Sequence, residues 1–160
     1  MDRCEVLVVE DNGADRFWLE YTLQSLGMNC SVSAVTDGEQ AVDFLRKRGQ
    51  YTEAPTPDVI FLDVHLPKLD GLEVLRNVPN AQELPICVVT SSNAERTTFR
   101  EEFGIPDSNY LLKPVSQAGI VESACFRNHL NRSRKTKRTY AARSTDFVRS
   151  RETGKLQRTS

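Results

Sequence analysis

Glu10, Asp11, Asp63, Thr90 and Lys113 are the residues whose types could cooperate in chemistry, and each stands at the end of a short apolar run, Asp11 one residue behind Glu10. Val59-Ile60-Phe61-Leu62 leads straight into Asp63, and the chain then passes Pro67 to reach Gly71. Four apolar residues, two of them β-branched, read as a strand buried on both faces. Alone, Asp63 reads equally well as a turn former. Its neighbours in space decide the matter. Val6-Leu7-Val8-Val9 ends in Glu10-Asp11, Ile86-Cys87-Val88-Val89 ends in Thr90, and Tyr110-Leu111-Leu112 ends in Lys113. If these runs are parallel strands, their carboxyl ends share one sheet edge, where open α/β sheets bind ligands.

Three carboxylates, a hydroxyl and an ammonium on one edge form a coherent set. The clustered acids repel one another and call for a cation. Oxygen donors on short loops suit Mg²⁺ better than zinc. A divalent ion together with Lys113 would balance the three negative charges. A carboxylate in that setting can attack a phosphoryl group and form an aspartyl phosphate. Cation and lysine would neutralise the transferring oxygens, with Thr90 donating a hydrogen bond to them.

The intervening segments must position these ends. Helical spacing predicts a helix from Ala14 to Leu26 stopped by Gly27, with Phe17, Leu19, Tyr21, Leu23 and Leu26 as apolar contacts and Trp18 partly buried. Cys30 to Val35 reads as a second strand. A helix carrying Ala41, Val42, Phe44 and Leu45 follows and closes on Arg46-Lys47-Arg48-Gly49. Beyond Gly71 a short helix runs from Leu72 to Val78 before Pro79. Leu84 to Thr90 is a fourth strand, Ala94 to Phe103 an exposed helix, and Asn109 to Leu112 a fifth strand. A last amphipathic helix begins near Ser116 and uses Ile120, Val121, Ala124, Cys125 and Phe126. Strands and helices alternating in this way predict right-handed crossovers and a parallel sheet covered on both faces.

A chain of 160 residues with 39% hydrophobic and 27% charged residues suits one soluble domain with an extension. No apolar run is long enough to span a bilayer, and a strand beginning almost at the N-terminus argues against a signal peptide. Cys4, Cys30, Cys87 and Cys125 form no C-x-x-C pair, so reduced, mostly buried thiols in a cytoplasmic protein are expected. The net charge of −1 conceals an asymmetry: residues 1–126 hold ten Lys and Arg against twenty Asp and Glu, and residues 127–160 hold eleven against two. The expected division is an acidic domain over 1–130 and a basic, Ser/Thr-rich tail over 131–160. In that tail Tyr140, Phe147, Val148 and Leu156 are too scattered for a core, which predicts disorder or a frayed extension of the last helix.

Val8-Val9-Glu10-Asp11, Phe61-Leu62-Asp63 through Pro67 to Asp70-Gly71, Val89-Thr90-Ser91 and Tyr110-Leu111-Leu112-Lys113-Pro114 resemble the receiver domain of bacterial response regulators. The resemblance covers residues about 5–128. Arg48-Gly49-Gln50-Tyr51 through Ala54-Pro55, with Ser91-Ser92-Asn93, more closely resembles the single-domain receivers that work beside phytochrome-type histidine kinases. The resemblance implies a flavodoxin-like doubly wound α/β fold, with five parallel strands in the order 2-1-3-4-5. It implies Asp63 as phosphoacceptor and Asp11, Glu10 and the His65 backbone carbonyl, with Asp63, around Mg²⁺. It further implies Thr90 as switch hydroxyl, Tyr110 as aromatic switch, Lys113 as phosphate partner and a cis Lys113-Pro114 bond. His65 and Ser92 occupy positions that tune phosphoryl lifetime.

The expected function is a stand-alone phosphorelay switch, not an enzyme. It takes phosphate from a sensor histidine kinase and signals by protein contact, with dimerisation through the fourth helix, fifth strand and fifth helix. Phosphorylation is expected to draw Thr90 in and let Tyr110 move inward. A phosphatase or phosphotransferase is the rival, weakened because His65 stands where such enzymes place a second acid. Nucleic-acid contact through the tail ranks last, since the tail is too short for an appended DNA-binding domain.

Overall fold

The structure, a computed structural model, describes residues 3–153. Five strands, β1 (Cys4–Val9), β2 (Cys30–Val35), β3 (Val59–Asp63), β4 (Ile86–Thr90) and β5 (Tyr110–Leu112), form one parallel sheet. Their order is β2-β1-β3-β4-β5, the doubly wound order expected. β3 and β4 are buried along their whole length, which accounts for their unbroken apolar sequence. Each fully buried Leu, Ile or Val here contributes about 1.5–3 kcal/mol.

The connecting helices are α1 (Gly13–Ser25), α2 (Gly38–Leu45), α3 (Gly71–Arg76), α4 (Arg96–Phe103), α5 (Gln117–Glu122) and α6 (Ala124–Thr153). Their starts are written in the sequence. The side chain of Asn12 accepts from the Ala14 and Asp15 amides, and that of Asp37 from the Gln40 amide. Asp70 and Glu73 cap α3 reciprocally, the Glu73 amide donating to Asp70 at 2.9 Å and the Asp70 amide to Glu73 at 2.8 Å. Gly104 ends α4 at φ +67°, a conformation that costs a glycine least.

Two details depart from expectation, while Trp18 is partly buried as expected. Phe17 and Tyr21 lie on the solvent side of α1, 69% and 54% exposed, while Leu19, Thr22 and Leu23 face inward. Trp18 is half exposed, and its indole N–H donates to the Val115 carbonyl at 2.9 Å, which ties α1 to the chain just beyond Lys113. The last amphipathic stretch is two helices and not one, because Ser123 is extended (φ −61°, ψ 141°). Ser123 then serves as the N-terminal cap of α6, its hydroxyl accepting from the Phe126 amide at 3.4 Å. The Ala124 amide donates to the buried Asn109 side chain at 2.7 Å.

The chain through Arg127 forms one compact unit, and the residues from Asn128 a second. In the second unit the backbone is helical as far as Thr153. There the hydroxyls of Thr136 and Thr139 donate to the carbonyls of Arg132 and Lys135, one turn back. The side chains of Tyr140, Phe147, Val148 and Leu156 lie outside the described residues. Among the described residues no helix is long and apolar enough to cross a membrane.

Candidate functional site

The parallel register brings the reactive strand ends together. Val9 pairs with Leu62, which places Glu10 beside Asp63 on neighbouring strands. Asp63 pairs with Val89, so Thr90 lies one residue further along the next strand. Thr90 pairs with Leu112, and its carbonyl accepts the Lys113 amide at 2.8 Å. The Lys113-Pro114 bond is cis.

At this edge the Lys113 ammonium reaches Glu10 at 2.7 Å, Asp15 at 2.9 Å and Asp63 at 3.1 Å. Burial disfavours its charge, yet hydrogen bonds to Glu10 and Asp15, with the charge and hydrogen bond of Asp63, raise its pKa above the ordinary lysine value. The second oxygen of Asp63 accepts the His65 amide at 3.3 Å. His65 is exposed. Thr90 is fully buried and accepts the Ser92 amide at 3.3 Å.

Glu10 is 4% exposed. Burial pushes its carboxyl up to about 7, against the hydrogen bonds from Lys113 and the Asn12 amide, and the Asp63 charge adds to the rise. Oxygens of Glu10, Asp11 and Asp63 lie within 4.8 Å of one another, with Asp11 exposed to solvent. An all-oxygen set with one open side and a poorly solvated acid is the donor chemistry of a hard divalent cation.

Tyr110 belongs to the hydrophobic core. Its ring is 5% exposed, its hydroxyl donates to the Ser92 carbonyl at 2.9 Å, and the Arg96 guanidinium lies 4.9 Å from the ring centre. The ring is thus already in an inward position.

Asp15 went unread in the sequence. It sits in the first turn of α1, past the Asn12 cap, and the fold carries it to Lys113. Lys68 is a second such residue. Its ammonium stands 3.4 Å from both Asp37 and Glu39, fastening the loop after Asp63 to the start of α2.

A doubly wound parallel sheet that gathers three acids and a lysine at its carboxyl edge has the architecture of a receiver. A family model of the response regulator receiver domain matches residues 6–124, and the chain belongs to that family. Its relatives include the response regulator Rcp1 of Synechocystis sp. (strain ATCC 27184 / PCC 6803 / Kazusa), 36% identical over 93 residues. That alignment covers 56% of this chain and 63% of Rcp1, so the chain spans less than two thirds of this relative's length. The bacteriophytochrome response regulator AtBRR superposes with a TM-score of 0.65 at 32% identity, over 74% of this chain and 88% of its own. The receiver domain of the sensor histidine kinase PA1611 from Pseudomonas aeruginosa PAO1, solved with a magnesium ion in its active-site cleft, gives 0.52 at 32% identity. It covers 73% of this chain and 90% of its own.

Proposed function

We propose that the chain is a phosphorylation-dependent switch that accepts a phosphoryl group on Asp63 from the phosphohistidine of a partner kinase. The observation that carries this reading is the placement of Asp63 against Lys113 at 3.1 Å, with Glu10 and Asp11 oxygens close by. In the transfer the phosphorus–nitrogen bond breaks as a bond to an Asp63 oxygen forms. Lys113 would leave its carboxylate partners to pair with the phosphoryl oxygens, and Thr90 would turn its hydroxyl toward them. Glu10, Asp11 and Asp63, with the His65 carbonyl, would hold Mg²⁺, which when bound supplies charge neutralisation. The magnesium ion in the active-site cleft of the PA1611 receiver and the existence of a Mn²⁺-bound form of Rcp1 support that assignment.

Because Tyr110 is already inside, its hydroxyl bond to Ser92 is the link through which a shift at Thr90 would reach α4. Output by protein contact on the face of α4, β5 and α5, including dimerisation, follows from that link. The likeness to phytochrome response regulators favours a phytochrome-type kinase as donor and a receiver acting without an output domain. No acid stands two residues past Asp63 to protonate a leaving group, which argues against a phosphatase. The test is labelling by a small phosphodonor in Mg²⁺: wild type should incorporate phosphate and Asp63→Asn should not. Equal labelling of the two would overturn the proposal.

A further inference from the structure

The sheet edge opposite Asp63 carries a feature that phosphorylation does not use. Cys4 opens β1 and Cys30 opens β2, and the two are direct partners at the first rung of the parallel ladder. Paired residues on neighbouring strands send their side chains to the same face, and the strands run about 4.8 Å apart. A disulfide accepts Cα separations of about 4.4–6.8 Å. β2 is the outermost strand on this side of the sheet, and Cys30 is half-buried where the chain re-enters it from Met28 and Asn29. Cys4 is buried behind it.

We infer that Cys4 and Cys30 are an oxidation site, closing to a reversible disulfide when hydrogen peroxide reaches the Cys30 end of β2. The thiols are unequal in a way that suits this chemistry. The neighbouring Cys4 side chain holds the Cys30 thiol below its ordinary pKa, against burial and the Asp58 charge. The same pairing raises Cys4, with burial and the charges of Cys30, Asp58 and Glu5 adding to the rise. Cys30, the more exposed and more acidic, is the attacking thiolate, and Cys4 is the resolving thiol.

In the first step the Cys30 sulfur attacks one peroxide oxygen. A sulfur–oxygen bond forms, the oxygen–oxygen bond breaks, and the departing hydroxide takes a proton to leave as water. In the second step the Cys4 sulfur attacks the Cys30 sulfenic sulfur. The sulfur–sulfur bond forms, the sulfur–oxygen bond breaks, and the Cys4 proton leaves with that oxygen as a second water. Two thiols are oxidised and one peroxide is reduced to two waters. A dithiol that reaches the half-buried Cys30 sulfur reverses the bond by thiol–disulfide exchange.

The remaining cysteines supply an internal control. Cys87 and Cys125 are also neighbours, but both are buried, and Cys125 accepts from the Asn109 side chain at 2.8 Å. The experiment treats the full chain with near-stoichiometric hydrogen peroxide and alkylates it under denaturing conditions. The digest is then mapped without reductant. The expected result is a cross-linked Cys4–Cys30 peptide that dithiothreitol releases, with Cys87 and Cys125 still alkylated. Cys4→Ser should stop the reaction at a Cys30 sulfenic acid that dimedone traps, and Cys30→Ser should leave Cys4 unoxidised. Intact Cys4 beside over-oxidised Cys30 in the wild-type chain, or cross-links only between molecules, would overturn the inference. The wild-type map decides even if a serine variant fails to fold.

Discussion

The ammonium of Lys113 stands 2.9 Å from Asp15, a carboxylate in the first turn of α1 that belongs to none of the strand ends. Asp15 thus competes with Glu10 and Asp63 for the lysine that the proposed reaction needs. Its side chain is 43% exposed, so the pair is worth about 0.2–1 kcal/mol. Asp15→Asn should release Lys113 and speed labelling by a small phosphodonor by about two- to fivefold. Lys113→Ala should slow labelling strongly. Rates of phosphate incorporation check both, and an Asp15→Asn rate as low as that of Lys113→Ala would show that Asp15 positions the lysine instead of competing for it.

Burial gives Glu10 a pH signature. Its carboxyl titrates at about 7 in the folded chain against 4.5 in a free side chain. The folded state therefore binds more protons than the unfolded state between those values. The stability this confers is whole below the ordinary carboxylate range and is lost as pH rises through about 7. In chelator, the wild-type chain should lose about 2 kcal/mol more than Glu10→Gln between about pH 5.5 and about pH 8. Urea melts of the two proteins at each pH measure the difference. Identical pH slopes would place the Glu10 carboxyl in the ordinary range.

Much of this site was legible because buried parallel strands are continuous apolar runs and their ends announce themselves. Glu10, Asp11, Asp63, Thr90 and Lys113 could be found by asking what each run leads into. Asp15 could not, because it sits on a helix and only the fold brings it to Lys113. Phe17 and Tyr21 misled because aromatic rings at helical spacing look like core, whereas here they stack on each other 6.4 Å apart in solvent. The break at Ser123 was hidden for a different reason. Apolar spacing continues across it, and the residue that holds it open, Asn109, lies on another element.

Asn109 makes the break costly to lose. Its carbonyl oxygen accepts the Ala124 amide at 2.7 Å, and its amide donates to the Ile86 carbonyl at 3.1 Å and to the Cys125 sulfur at 2.8 Å. Asn109→Ala would remove a helix cap and leave a buried carbonyl without this donor, a loss of about 2–4 kcal/mol. Urea denaturation should show that loss. A change below about 0.5 kcal/mol would mean that water replaces the side chain.

Gly71 couples the stability of α3 to the position of the phosphoacceptor. A methyl group there would lie 2.7 Å from the Asp63 carbonyl oxygen and 3.1 Å from the Val64 Cα, both backbone atoms that no side-chain rotation can move. The Gly71 amide also donates to the Val64 carbonyl at 2.8 Å, so the helix start and the end of β3 are held together from both sides. Gly71→Ala must push them apart, at a cost of about 1–3 kcal/mol. The displacement falls on the residue whose oxygen must meet the phosphorus, where small misplacements are expensive, and labelling by a small phosphodonor should drop by roughly tenfold. Gly13→Ala, where an added methyl meets nothing within 4 Å, should leave both stability and labelling near wild type. Equal labelling by Gly71→Ala and wild type, with the stability loss present, would separate packing at α3 from the alignment of Asp63.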